Sequence, residues 1–432
     1  MSATAWAATM IFVAAYVLIA TEKVHRVAAA LGGATLMLLV GATDAEHAFF
    51  SEEAGIDWNV IFLLLGMMLI VAVLRRTGVF EYIAIWAAKR AQGRPFRVMV
   101  ILVLVTAVAS AALDNVTTVL LVAPVTFLVC ERLGVPVAPY LIAEALASNI
   151  GGTATLVGDP PNIIIASRAG LSYNDFLLHL APIVGLLLVV FVGLCRWLFR
   201  ATFTHNPQRA ARVMALRERD AITDGRLLVV SLVVLALVTA AFVLHTVLGL
   251  EPSVVAVVGG LLLLAASRLD ANDVAKDVEW PTLVFFAGLF VMVGALVATG
   301  VIDLVAQATT EAVAGRMWLA SMALLWGSAV LSAIVDNIPY VATMTPVVAE
   351  LVDAEGGGSG SQVLWWSLAL GADLGGNATA VGASANVVVL GMAERAGQRI
   401  TFWQFTKYGL VVAVVTVALC VPYLWLRYFA FT

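Results

Sequence analysis

Asp114-Asn115 and Asp336-Asn337 each interrupt an apolar stretch of this 432-residue chain, and a proline follows nine residues beyond each asparagine (Pro124, Pro346). Downstream of each pair lies a second matched motif, fourteen residues long. The first copy runs Asn149-Ile-Gly-Gly-Thr-Ala-Thr-Leu-Val-Gly158 and on to Asn162; the second runs Asp373-Leu-Gly-Gly-Asn-Ala-Thr-Ala-Val-Gly382 and on to Asn386. A carboxylate in an apolar setting can hold a cation or carry a proton, which suits Asp114 and Asp336 to ion coupling. Di-glycines (Gly151-Gly152, Gly375-Gly376) interrupt a helix, freeing carbonyls that bind small cations and N–H groups that bind anions. Thr117, Thr153, Thr155 and Thr379 add hydroxyls. Asn115, Asn149, Asn162, Asn337, Asn377 and Asn386 add amides that both donate and accept. Asp373 faces Asn149 in the repeat, and Asp159-Pro160-Pro161 faces Ala383-Ser384-Ala385, so the copies are not chemically equal. Plainer roles exist for the same residues: Asp-Asn as a helix N-cap, and small residues as helix-packing surface.

Those residues need a membrane scaffold. The chain is 62% hydrophobic and 12% charged, against about 25% charged in soluble domains. Its apolar runs reach the roughly 20 residues that cross a bilayer core. An all-α integral membrane protein is the expected fold class, and the first run, 4–20, reads as a retained span and not a leader. Further spans are expected at 24–42 and 57–76, with an amphipathic stretch at 80–92. Two short segments, 97–113 and 116–132, meet at Asp114-Asn115; they read as a re-entrant hairpin, since irregular backbone at membrane depth must line a protected cavity. A broken span, 138–169, and a last span, 175–199, complete the half. The second half repeats the order: 227–249, 253–267, 280–299, an amphipathic 302–315, a hairpin 317–352, a broken span 362–393 and a final span 403–426. Glu144 in the first broken span has Leu368 opposite it, and reads either as a proton relay or as an interfacial residue.

Matching positions hold a constant offset of 222, as in Gly66 to Gly288 and Asp114 to Asp336; after a glycine-rich loop, Gly356–Gly360, it becomes 224, as in Asn162 to Asn386. This expects a first repeat at 1–200, a cytoplasmic linker at 201–226 and a second repeat at 227–432. Five crossings per half make the second copy inverted. With both termini outside, Lys23, Arg26, Arg75, Arg76, Lys89, Arg90 and the linker arginines, Arg212 among them, fall inside, in keeping with the positive-inside rule. Glu52, Glu53 and Ser359 fall outside. Three scattered cysteines and five dispersed histidines form no metal or redox spacing, and no phosphate-binding GxxxxGK[ST] loop exists. No cofactor, metal, enzymatic activity or nucleic-acid partner is expected.

Four stretches carry a resemblance: Leu113–Leu121, Ser148–Asn162, Val335–Pro339 and Gly371–Asn386. Together they resemble the arsenite permease and P-protein branch of the ion transporter superfamily, over nearly the whole chain. The resemblance implies two inverted repeats of five spans with a re-entrant hairpin each, a homodimer in the plasma membrane, an elevator-like shift of the hairpin domain and a possible soluble ATPase partner. It implies a secondary-active transporter of a small inorganic ion, coupled to protons or sodium. Arsenite or antimonite efflux is favoured, with sodium/proton antiport as the alternative. Dicarboxylate carriers of the superfamily usually show Ser-Asn-Thr at the hairpin tips; the aspartates here disfavour a carboxylate cargo. A channel would want a continuous polar stripe, and an intramembrane aspartyl protease built on Asp336 and Asp373 would not need the first half to repeat the same devices.

Overall fold

The structure, a computed structural model, describes residues 1–21, 23–51, 54–203, 206–215, 217–313, 316–356, 358 and 360–430. Glu52, Glu53 and Ser359, expected in external loops, lie outside the described residues. The first half begins with α1 (Ala3–Ala20), α2 (Arg26–Leu39), the short α3 (Ala45–Phe50), α4 (Trp58–Arg75) and α5 (Val79–Arg90). A hairpin follows, α6 (Pro95–Ala112) and α7 (Asn115–Leu133), then α8 (Ala138–Gly152) and α9 (Pro160–Ala169) on either side of an unwound segment. α10 (Tyr173–His179), α11 (Ala181–Leu198) and, after it, α12 (Pro207–Met214) lead to the second half. There the order is α13 (Gly225–Leu248), α14 (Pro252–Ser267), α15 (Ala271–Lys276), α16 (Trp280–Ala298) and α17 (Val301–Val313). The hairpin α18 (Met317–Ile334) and α19 (Asn337–Ala354), the broken pair α20 (Val363–Gly375) and α21 (Ser384–Arg395), and α22 (Phe402–Tyr428) complete it.

Local chemistry sets these boundaries. Proline opens α6, α8, α9, α11, α14 and α16 in the first turn, where its missing N–H is no loss. Asp57, Asp114, Asp224 and Asp336 cap α4, α7, α13 and α19. Among the described residues nine helices are long and apolar enough to cross a membrane. Both arms of the first hairpin are among them by length and composition, at 18 and 19 residues. Proline starts α6 two residues early, and α7 carries on through Pro124 to a left-handed Gly134.

Packing between the halves is reciprocal. α2 packs on α16 while α14 packs on α4; α9 packs on α19 while α21 packs on α7. Within each half the hairpin's first arm packs on the first part of the broken pair, α6 on α8 and α18 on α20. The linker is docked and not free: Arg209 Nη1 donates to Gly134 O at 3.0 Å, Lys89 Nζ meets Glu218 Oε2 at 2.5 Å, and Thr223 N donates to Thr77 O at 3.0 Å.

Candidate functional site

The glycines determine how closely backbones approach. A methyl added at Gly151 would lie 2.2 Å from Ala107 O on α6, and one at Gly375 would lie 2.4 Å from Ala329 Cα on α18. The next glycines admit a fold-back of the chain on itself, Gly152 against Gly158 O at 2.5 Å and Gly376 against Gly382 O at 2.9 Å. Each is closer than a side chain tolerates, so these positions must lack one. Helix persists through Gly151-Gly152 but ends at Gly375 in the second half, so the unwound segments are 153–159 and 376–383. The break falls just after the di-glycine in the first half and within it in the second.

Each unwound segment is tied by the same bonds in both halves. Thr155 Oγ1 donates to Ala111 O and Thr379 Oγ1 to Ala333 O, both at 2.6 Å, pinning each loop to the end of the hairpin's first arm. Ser110 Oγ donates to Ser148 O at 2.7 Å and Ser332 Oγ to Ala372 O at 2.6 Å. Asn162 Nδ2 donates to Thr155 O at 3.0 Å, and Asn386 Nδ2 to Thr379 O at 2.9 Å. These side chains hold the loop's carbonyls. Thr153 Oγ1 is likewise spent on its own helix, donating to Asn149 O at 2.8 Å.

Between the two loops the halves meet in one buried amide network. Asn115, the residue after the first tip aspartate, donates through Nδ2 to Asn149 Oδ1 at 3.1 Å and to Asp159 Oδ2 at 3.0 Å. Asn337, its mate at the second tip, reaches the same Asp159 carboxylate at 3.4 Å. Asn149 Nδ2 then crosses to the second half, donating to Asn377 Oδ1 at 3.0 Å and Asn386 Oδ1 at 3.1 Å. Asp159, Asn149, Asn162, Asn377, Asn386 and Asp373 are all 0% exposed. Asp373 stands close to Thr153, Asn162 and Asp159, yet no hydrogen bond of ordinary geometry reaches either of its oxygens, because those donors are engaged elsewhere.

The tip aspartates are peripheral to this network. Asp114 Oδ1 accepts Thr117 N at 2.7 Å and Asp336 Oδ1 accepts Ile338 N at 3.0 Å, so both serve as N-caps. Their surroundings differ. Asp336 Oδ2 also accepts from Ser384 Oγ at 2.5 Å, and Ser384 Oγ in turn receives Arg26 Nη1 at 2.9 Å. Arg26 was counted as a loop charge in the sequence; here it is half-buried at the start of α2 and reaches across to the second half. Glu144 is 1% exposed and bonded to Thr126.

The comparisons with known proteins agree with a membrane transporter. A family profile described as "Citrate transporter" (CitMHS) matches residues 16–371. The chain belongs to this transporter family. A protein of Mycobacterium tuberculosis named only as an uncharacterized transporter is 57% identical over 424 residues, covering 98% of this chain and 99% of its own. The human P protein is 34% identical over 493 residues; the match covers 96% of this chain and 59% of that protein's length. Among solved structures, the YdaH transporter of Alcanivorax borkumensis superposes with a TM-score of 0.60 at 16% identity, covering 91% of this chain and 88% of that one. This last likeness concerns the fold alone. The relatives place the CitMHS chain with membrane transporters related to P protein, as its motifs suggest.

Proposed function

We propose that this chain is a secondary-active transporter that exports a small hydroxylated inorganic solute, arsenite or antimonite, in exchange for protons. The observation that carries the reading is the set of unpartnered atoms at the centre: Asp373 Oδ1 and Oδ2, Asn115 Oδ1, Asn162 Oδ1 and Asn377 Nδ2 are buried without a hydrogen-bond partner. Each unpaired buried polar atom costs about 1–3 kcal/mol, and a solute that both donates and accepts recovers that cost. Arsenous acid near neutral pH is a neutral trihydroxide, which matches amides and carboxylates without needing a fixed cation. No Lys or Arg is buried among the described residues, so a citrate trianion would meet Asp159 and Asp373 with nothing buried to offset the repulsion. Two neighbouring buried carboxylates require counter-ions or protons, and this supports coupling at Asp159 and Asp373. The same pair also favours sodium/proton antiport as a second reading.

Alternating access follows if the hairpins move. Asn115 and Asn337 come from opposite halves and share one carboxylate, so displacing either tip changes how Asp159 is held. We take the halves to be inverted, the hairpins to be re-entrant, and the protein to work as a dimer in the plasma membrane. Currents from proteoliposomes on a solid support test this, with arsenite, antimonite, sodium and citrate each applied against a pH gradient. The expected result is an arsenite- or antimonite-evoked, proton-dependent current that Asp373→Asn abolishes without loss of folded protein. A current evoked by citrate alone would overturn the cargo assignment.

A further inference from the structure

The two tip aspartates are equivalent in sequence but are not held alike. On the second, a chain of polar contacts runs from Arg26 Nη1 through Ser384 Oγ to Asp336 Oδ2. The other end of the guanidinium, Nη2, donates to Thr282 Oγ1 at 3.2 Å, and that hydroxyl donates to Glu279 Oε2 at 3.2 Å. The guanidinium also lies 5.5 Å from the centre of the Phe285 ring. Four elements are joined here: α2, α16, the tip of the second hairpin and the start of α21. Arg26, Phe285, Asp336 and Ser384 line a cavity of about 330 Å³ together with Val381 and His25.

None of this can exist at the first tip. The repeat offset places Leu248 opposite Arg26, Val60 opposite Thr282 and Pro160 opposite Ser384. Asp114 has its backbone cap and no guanidinium relay. We propose that Arg26 is a positioning residue for transport, which through Ser384 pins Asp336 and the second hairpin tip to α2, leaving the first tip to move without such a restraint. The proposal rests on the hairpins being the moving parts of the transporter. Loss or protonation of the Asp336 charge weakens the relay, so movement of the second tip is linked to that carboxylate. The groups facing Asp336 are Arg26 at the start of α2, with His25 just before it, Tyr16 from α1, Tyr340 on its own helix, and Asp159 from the first half; Glu279, at the far end of the relay, faces Arg26 and Asp114.

The test has one arm that needs no known cargo. A cysteine at half-buried Val381, reconstituted in vesicles, is labelled with a soluble maleimide; the three native cysteines are buried. Arg26→Gln and Ser384→Ala should each raise the labelling rate roughly tenfold, the effect of losing one charge-assisted contact. Arg26→Lys should return it toward wild type. Asp336→Asn should act like Arg26→Gln, and the double variant should be no faster than either single. In a second arm, the pH midpoint of proton-coupled current should move up by about one unit in Arg26→Gln. Wild-type labelling in both Arg26→Gln and Ser384→Ala, or effects that add in the double variant, would overturn the proposal. If no solute evokes a current, the cargo reading fails while the labelling arm still decides the restraint.

Discussion

At the residue scale, Thr155 and Thr379 show how one matched pair can differ in consequence. Both hydroxyls donate at 2.6 Å to the last carbonyls of a hairpin arm, but Thr155 Oγ1 also accepts Gly158 N at 3.1 Å. Thr155→Val therefore unpairs two buried backbone groups and Thr379→Val only one, at about 1–3 kcal/mol per orphaned group. Thermal unfolding of the purified protein should show Thr155→Val as the more destabilised, with both serine variants near wild type. A larger loss in Thr379→Val would mean that the hydroxyls are not what ties the loops to the hairpins. The threonines were legible as site residues from their place in the repeated motif. Their partners were not, because the carbonyls of Ala111 and Ala333 lie more than forty residues upstream and carry no sequence signal. Arg26 was missed for the same reason: a basic residue at the end of an apolar run reads as a cytoplasmic marker, and its reach to Ser384 spans 358 positions.

At the element scale, the linker between the halves is fastened to the first half by polar contacts near the surface. Lys89 on α5 holds the Glu218 carboxyl below its ordinary range, chiefly through their hydrogen bond. A carboxyl lowered on folding adds stability that is full above its unfolded value and lost as pH falls through its folded one. Limited proteolysis of the linker should therefore quicken as pH drops below about 4, the ordinary carboxyl range, and with added salt at neutral pH. Glu218→Gln should quicken it at neutral pH, with little further change on acidification. A cleavage rate that ignores both pH and salt would show that the ion pair does not hold the linker. Hydropathy and turn residues were enough to place the hairpins, the broken pairs and the long spans, because glycine, proline and aspartate interrupt apolar runs unambiguously. The exact end of α8 and of α20 was not legible. A di-glycine weakens a helix, yet here tight packing on α6 and α18 compensates: α8 runs through both of its glycines and α20 through the first of its pair.

At the scale of the whole molecule, the two halves are interlocked. The pairs α2 with α16 and α14 with α4 exchange the same elements between halves, as do α9 with α19 and α21 with α7. Which helix packs on which could not be read from the sequence, because spans apolar all round give no face to orient them. Reciprocity of this kind fits a two-fold relation between the repeats. If each half makes an odd number of crossings, as we propose, that relation is an inversion, with both termini outside and the linker inside. Ser2 ahead of α1 and Arg217 in the linker are both exposed, flank the whole first half and report on opposite sides under that arrangement. In intact cells a membrane-impermeant maleimide should label Ser2→Cys and leave Arg217→Cys unlabelled until the membrane is permeabilised. Parallel repeats with an even number of crossings each would put both cysteines on one side. Equal labelling of the two in intact cells would end the inverted arrangement, and with it the idea that the tips approach Asp159 from opposite faces of the membrane.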